Sequence, residues 1–391
     1  MQLRVVIAPD SFKGTATAVE AAEAIAAGWL EVRPGDSLRC VPMADGGEGV
    51  LDTFERARPD SVRRPVVVTG PDDRVATSSW LWLPGEHTAS DAPDARSDSD
   101  AHPHPLGGTG VVELANTSGI TMMAGLRPLE AHSVGFGQAV RAALDAGVDR
   151  LVLGIGSSAS SDGGAGLLQA LGCALLRADG TPIFTGNGAL AELDRVDFST
   201  MHQLPPGGVV VLSDVTSPLL GRSGAVAVFG EQKGVTEALA PAAEARLAHF
   251  GSIVAAARGI DPSTPGAGAA GGVGFGLLAW GAELRGGASA VAELVGLRDA
   301  IAEADAVVTG EGRYDGQSES GKVAGHLRQL AADAGARAYL AVGLLAADPT
   351  GFDAAVSLSE LAGSAEAARA DPLTWLRVAG ARLAATIEPS A

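Results

Sequence analysis

The chain has 391 residues, 46% of them hydrophobic, a length and composition that suit a globular protein of two domains. Its 28 basic residues stand against 46 acidic ones, a formal net charge of −18, which argues against nucleic acid or an anionic membrane as a partner. The two cysteines, Cys40 and Cys173, are too few for a disulfide framework or a zinc site, and no apolar run approaches membrane-spanning length. In chain order, the short apolar run Val5 to Ala8 meets Pro9 and Asp10 at once, so it reads as a first strand over Leu3 to Ala8 and not as a signal peptide; a cytoplasmic protein is expected. The polar stretch PDSFKGTAT follows, and Thr17 and Glu20 have capping-box spacing ahead of a helix over Ala18 to Val32, whose stripe is Val19, Ala22, Ala26 and Trp29. A second strand, Leu38 to Met43, ends in ADGGEG. Asp45 and Glu48 therefore stand at a strand's carboxyl end on a glycine turn, where open α/β sheets bind ligands; capping of the next helix is the plain alternative.

From about Val66 the texture changes to strand-like runs, Pro65 to Thr69 and Thr77 to Leu83, and a second domain is expected to begin. Residues 86–105, EHTASDAPDARSDSDAHPHP, are too polar and acidic to order themselves and read as a flexible surface insertion; His87, His102 and His104 within it are read as solvated, not as a metal site. A helix is predicted from about Val134 to Ala146. Leu151 to Ile155 then form a buried strand that runs into GSSASSDGG and an amphipathic helix carrying Leu167, Leu168 and Leu171. A glycine-rich strand-to-helix junction exposes backbone N–H groups at the positive end of the helix dipole, which suits phosphate, with or without a metal, and Asp162 adds a carboxylate inside it. That carboxylate reads as a base or metal ligand, because Ser160 and Ser161 already supply hydroxyls for capping.

Beyond the ADGTP hairpin, the strand Val209 to Leu212 carries Asp214 at its end, repeating the placement of Asp45. FGEQKG brings Lys233 before a helix over Glu237 to Ala257. The small residues of Gly266 to Gly276 suit close packing. The strand Ala306 to Thr309 leads into GEGRYDGQSESGK, which is read as one loop carrying Glu311, Arg313, Asp315 and Lys322. A helix, the strand Ala338 to Val342, a short strand near Val356 and a last helix complete a βα alternation. Of the 28 basic residues only Lys13, Lys233 and Lys322 are lysine, and all three touch glycine, a placement that suits contact with a moving phosphoryl group.

PDSFKG at 9–14, ADGGEG at 44–49, GIGSSASSDGGAG at 154–166, SDVTSPLLG at 213–221, GAGAAGG at 266–272 and TGEGRYDGQSESGK at 309–322 together resemble the successive signatures of the bacterial glycerate kinase type I family. The resemblance implies ATP-dependent phosphorylation of D-glycerate to 2-phosphoglycerate with Mg²⁺. It also implies a two-domain α/β fold: a doubly wound domain from residues 1–65 and 290–391, a mixed-sheet domain inserted over 66–289, and an active site in the cleft. A monomer or homodimer is expected. Ser157 stands where the family usually has glycine, Ser161 where it has asparagine, Phe136 replaces a small or hydroxyl residue, and Ser217 replaces an asparagine, so a related small hydroxy acid is an alternative substrate.

Phosphoryl transfer needs metal-held phosphates, cations on the equatorial oxygens and a positioned nucleophile. Asp45, Asp214 and Glu311 are candidates for Mg²⁺ or base duty, with Asp162, Lys13 and Lys322 completing the catalytic candidates. Asp10, Ser11, Lys13, Gly46, Gly47, Ser158, Ser160, Ser161, Lys233, Glu311, Arg313 and Asp315 are the candidate substrate and nucleotide contacts. The rival readings are a nicotinamide-dependent hydroxy-acid dehydrogenase, which would show NADH binding, and a non-catalytic sensor, which would bind nucleotide without turnover.

Overall fold

The computed structural model describes residues 2–12, 14–85, 105–316 and 323–387. Contacts divide the chain into two units, Met1–Pro59 with Gly286–Ala391, and Asp60–Arg285. Among the described residues the strands are β1 (Arg4–Ile7), β2 (Ser37–Cys40), β3 (Val62–Thr69), β4 (Val75–Leu83), β5 (Thr109–Glu113), β6 (Arg150–Gly154), β7 (Ala174–Leu176), β8 (Arg195–Asp197), β9 (Val209–Leu212), β10 (Glu283–Arg285), β11 (Ala306–Tyr314), β12 (Arg337–Leu345) and β13 (Ala354–Ser357).

The first unit holds a five-stranded sheet in the order β13-β12-β11-β1-β2, with every pairing parallel. Side chains alternate across it as the two-residue period of a strand requires. Val5, Ile7, Val308, Tyr339 and Ala341 pack with Ile25 and Trp29 of the helix Ala18–Val32 and with Leu376 and Leu383 of the helix Pro372–Ala385. Leu340 and Val342 instead join Ala324 of the helix Val323–Ala334. Both faces are thus covered, which is why the strands read as continuous apolar runs. The capping box is present as predicted: the Glu20 amide donates to Thr17 Oγ1 at 3.1 Å, and the Thr17 amide donates to Glu20 Oε2 at 2.9 Å.

In the second unit a six-stranded mixed sheet runs β10-β9-β6-β5-β4-β3. Strands β3, β4 and β5 pair antiparallel, while β5, β6, β9 and β10 pair parallel. One large core buries Leu151, Leu153, Leu167, Leu168, Phe250 and Phe275. Phe136 belongs to it, fully buried, so the large side chain in SVGFG fills the core. Both cysteines are free thiols, and burial pushes Cys173 up to about 12. No helix among the described residues is long and apolar enough to cross a membrane.

Two readings need amendment. Strand β11 runs on to Tyr314, because Glu311 and Arg313 pair in register with Val342 and Leu344 of β12, so these two residues are strand positions and not loop. The helix after the glycine-serine loop is short, Ala165–Ala170. The segment Ala270, Gly271 and Gly272 has left-handed backbone angles (φ 56, 71 and 92°), and its glycines are required by contact with that loop: a Cβ on Gly271 would lie 2.0 Å from the Ser160 carbonyl oxygen. The insertion lies outside the described residues except for Pro105, as do Lys13 and Lys322.

Candidate active site

In the first unit the chain passes from β1 to β2 on one side and from β11 through β12 to β13 on the other, so the crossover direction reverses between β1 and β11. In an open α/β sheet the carboxyl ends of the strands at such a reversal leave a crevice that binds ligands. A cavity of about 380 Å³ lies there, and Asp10, Ser11, Asp45, Glu311, Arg313 and Asp315 all line it. Six candidates scattered over three sequence motifs are thereby brought together. Asp10 and Glu311 are each only 9% exposed. The Asp10 carboxylate accepts the Ser11 amide at 2.7 Å, and its own amide donates to the Gly310 carbonyl at 2.8 Å, tying the end of β1 to β11. Asp45 accepts the Gly47 amide at 3.0 Å. Its backbone is held from behind by Gly287, where a Cβ would lie 1.9 Å from the Asp45 carbonyl oxygen. Arg313 reaches Asp315 at 3.4 Å across an exposed surface. Gly46 and Gly47 shape the turn without lining the cavity.

The second unit gathers another group of candidates. The Asp162 side chain is fully buried. Its Oδ2 accepts the Ser133 amide (2.9 Å), the Ser133 hydroxyl (2.8 Å) and the Gly166 amide (3.2 Å); its Oδ1 accepts the Ser160 hydroxyl (2.9 Å) and the Gly164 amide (3.2 Å). The carboxylate itself fills the anion position at the helix start that phosphate was expected to take, and it holds the loop together.

The Lys233 ammonium is buried, donating to Ser158 Oγ at 2.6 Å and to the Ser160 carbonyl at 2.7 Å, and so it braces the loop. Burial lowers its pKa to about 7, while the charge of Asp162 acts in the opposite direction. Ser133, which links Asp162 to the Leu167 amide, is a part of this knot that sequence reasoning passed over. Its only signal was a hydroxyl at a helix start. Ser161 is buried, and its carbonyl accepts from Asn187 at 3.0 Å. Asp214 stands exposed just past the carboxyl end of β9. Among the described residues no group of three or more His, Cys, Asp or Glu is placed to hold a metal ion.

The profile of the glycerate kinase family matches residues 5–388. The chain belongs to the glycerate kinase family. It is 37% identical over 326 residues to a glycerate 2-kinase of Escherichia coli K12, covering 82% of this chain and 80% of that one. It is 39% identical over 325 residues to a glycerate kinase of Bacillus subtilis 168, with 82% and 79% covered. A solved structure described as a glycerate kinase 2 of Salmonella typhimurium LT2 superposes with a TM-score of 0.80 at 34% identity, covering 99% of this chain and 98% of that one. Family membership makes the protein an enzyme, a kinase, and explains why six short motifs recur in one order.

Proposed function

We propose that this protein transfers the terminal phosphoryl group of ATP to the 2-hydroxyl of D-glycerate, giving 2-phosphoglycerate and ADP. The observation that carries this reading is the match to the glycerate kinase family over residues 5–388. It is supported by the gathering of Asp10, Asp45 and Glu311 in one cavity at the strand ends. The choice of the 2-hydroxyl is supported by likeness to the Escherichia coli relative, whose name specifies a 2-kinase.

A bound Mg²⁺ would supply positive charge to offset the negative charge of the phosphates during transfer. The donors present fit it, because magnesium takes oxygen ligands and commonly uses only one or two carboxylates beside phosphate and water. Asp45 and Glu311 are the proposed holders, their carboxylates lining the same cavity. Asp214 remains a candidate for metal or base duty on the second unit. Arg313, at the cavity rim, and the lysines Lys13 and Lys322 supply cations for phosphate or carboxylate oxygens. Asp162 and Lys233 are proposed to fix the loop that carries Ser158 and Ser160.

An ADP-release assay with Mg-ATP and a panel of small hydroxy acids tests the proposal, with the phosphorylated carbon identified by NMR. D-glycerate is expected to give the highest turnover. Background release at saturating D-glycerate, beside clear release with another acid, would transfer the activity to that acid.

A further inference from the structure

The cavity between β1 and β11 is too large and too apolar on one side for glycerate alone. Its volume of about 380 Å³ falls in the range of roughly 300–1,000 Å³ that holds ligands many times the size of a three-carbon acid. Its lining changes character along the sheet. Over β2, β1 and β11 lie the carboxylates of Asp45, Asp10 and Glu311; over β12 and the helices after β13 lie Leu344, Leu358, Ala365, Ala368 and Pro372. Glycerate is polar on every carbon, so it gains nothing from an apolar wall.

A nucleoside triphosphate bound to magnesium has the opposite distribution. It carries a flat ring with apolar faces at one end and phosphates masked by a divalent cation at the other. Arg369 and Arg313 also line the cavity, offering cations to the phosphates or, for a guanidinium, a plane to stack on the ring.

We propose that this cavity is the nucleotide site, with the base against Leu344, Leu358, Ala365 and Pro372 and the phosphates toward Asp45 and Glu311. The assignment rests on the kinase reading for its ligand class and on the cavity walls for its orientation.

Two measurements test it. The first is hydrogen exchange on the wild-type protein. Mg-ADP is expected to slow exchange across residues 343–345 and 358–372, and D-glycerate to leave those segments unchanged. Protection of them by glycerate alone would assign the cavity to the acid and overturn the proposal.

The second is the variant Ala365→Trp, which places a large ring in the cavity from a half-buried position. Calorimetric affinity for Mg-ADP is expected to fall about tenfold or more, the change that goes with roughly 1.4 kcal/mol. The KM for ATP should rise while that for D-glycerate stays put. An unchanged nucleotide affinity with normal glycerate turnover would sink the site assignment and leave the kinase reading standing. Wild-type protein that binds Mg-ADP at these segments but phosphorylates no glycerate would do the reverse.

Discussion

At the scale of single residues, the buried knot around Asp162 makes the sharpest predictions. Asparagine would match the carboxylate in size, but its NH₂ group must face either the Gly164 amide or the amides of Ser133 and Gly166, which are donors themselves. Hydroxyls can reverse; backbone N–H groups cannot. Asp162→Asn is therefore expected to destabilise the protein by about 1–3 kcal/mol, the cost of an unsatisfied buried donor, read as a lowered urea midpoint. A variant with the wild-type midpoint would return Asp162 to the role of an open, chemically active carboxylate. Lys233 makes a pH prediction. Its folded pKa of about 7 lies below the ordinary 10.5, so between those values the unfolded chain holds a proton that the folded chain has released. The contribution of Lys233 to stability therefore rises with pH across that window, because proton uptake favours the unfolded state. In Lys233→Met that slope should vanish, and the stability difference in favour of wild type should widen from pH 7 to pH 9. Parallel curves for the two proteins would show that the ammonium titrates normally. Ser157 has φ of 59°, a conformation that costs a residue with a side chain roughly 1–2 kcal/mol. Ser157→Gly should raise the urea midpoint slightly, and a fall would mean that the serine side chain anchors the turn.

At the scale of elements, the helix Ala18–Val32 and the helix Pro372–Ala385 cross at two glycines. A Cβ on Gly28 would lie 1.8 Å from the Arg377 carbonyl oxygen, and one on Gly380 would lie 2.2 Å from that of Ile25. Backbone meets backbone here, so no side chain can move aside. Gly380→Ala is expected to cost roughly 1–3 kcal/mol or more as overpacking. Gly35→Ala, where a Cβ would meet nothing within 4 Å, serves as the neutral control. Equal urea midpoints for the two variants would mean that the helices separate freely. That crossing was not legible in the sequence, because Gly28 reads as an ordinary small residue in an alanine-rich helix and Gly380 lies far along the chain. The helix itself was legible from its capping box and from Ala22 and Trp29, which are local signals. The carboxylates at the strand ends were legible too, since glycine turns after apolar runs mark the carboxyl ends of parallel strands. What failed was long-range. Glu311 and Arg313 sit in a polar, glycine-rich stretch, and only their pairing with β12 makes them strand. Asp162 and Lys233 are titratable groups in glycine-rich loops, and nothing local reveals that Ser133, Ser158 and Ser160 close around them.

At the scale of the whole molecule, the chain leaves its first unit near Pro59, builds the second, and returns near Gly286. A connecting segment too polar and acidic in sequence to build a core should be removable. Residues 86–104 connect β4 to β5, and both ends of that connection are pinned by β structure. Leu83 pairs with Thr109 across the antiparallel ladder, and a Cβ on Gly108 would lie 2.7 Å from the Gly85 nitrogen. The far side is held as well, with the Leu106 amide donating to Ala146 at 3.0 Å and the Gly107 amide to Gly147 at 2.9 Å. Deleting residues 90–100 leaves 86–89 and 101–104, a stretch that reaches roughly 25 Å when extended. Since Gly85 touches Gly108 and Pro105 is three residues from it, the shortened connection closes without pulling on either strand. Loop-closure entropy changes by only about 0.6 kcal/mol for each halving of length, and in the stabilising direction. The deleted protein is therefore expected to keep its urea midpoint or gain slightly, and to release ADP with D-glycerate at the wild-type rate. Loss of turnover at unchanged stability would mean that this acidic segment takes part in binding or catalysis. A lowered midpoint would mean that it packs on the second unit.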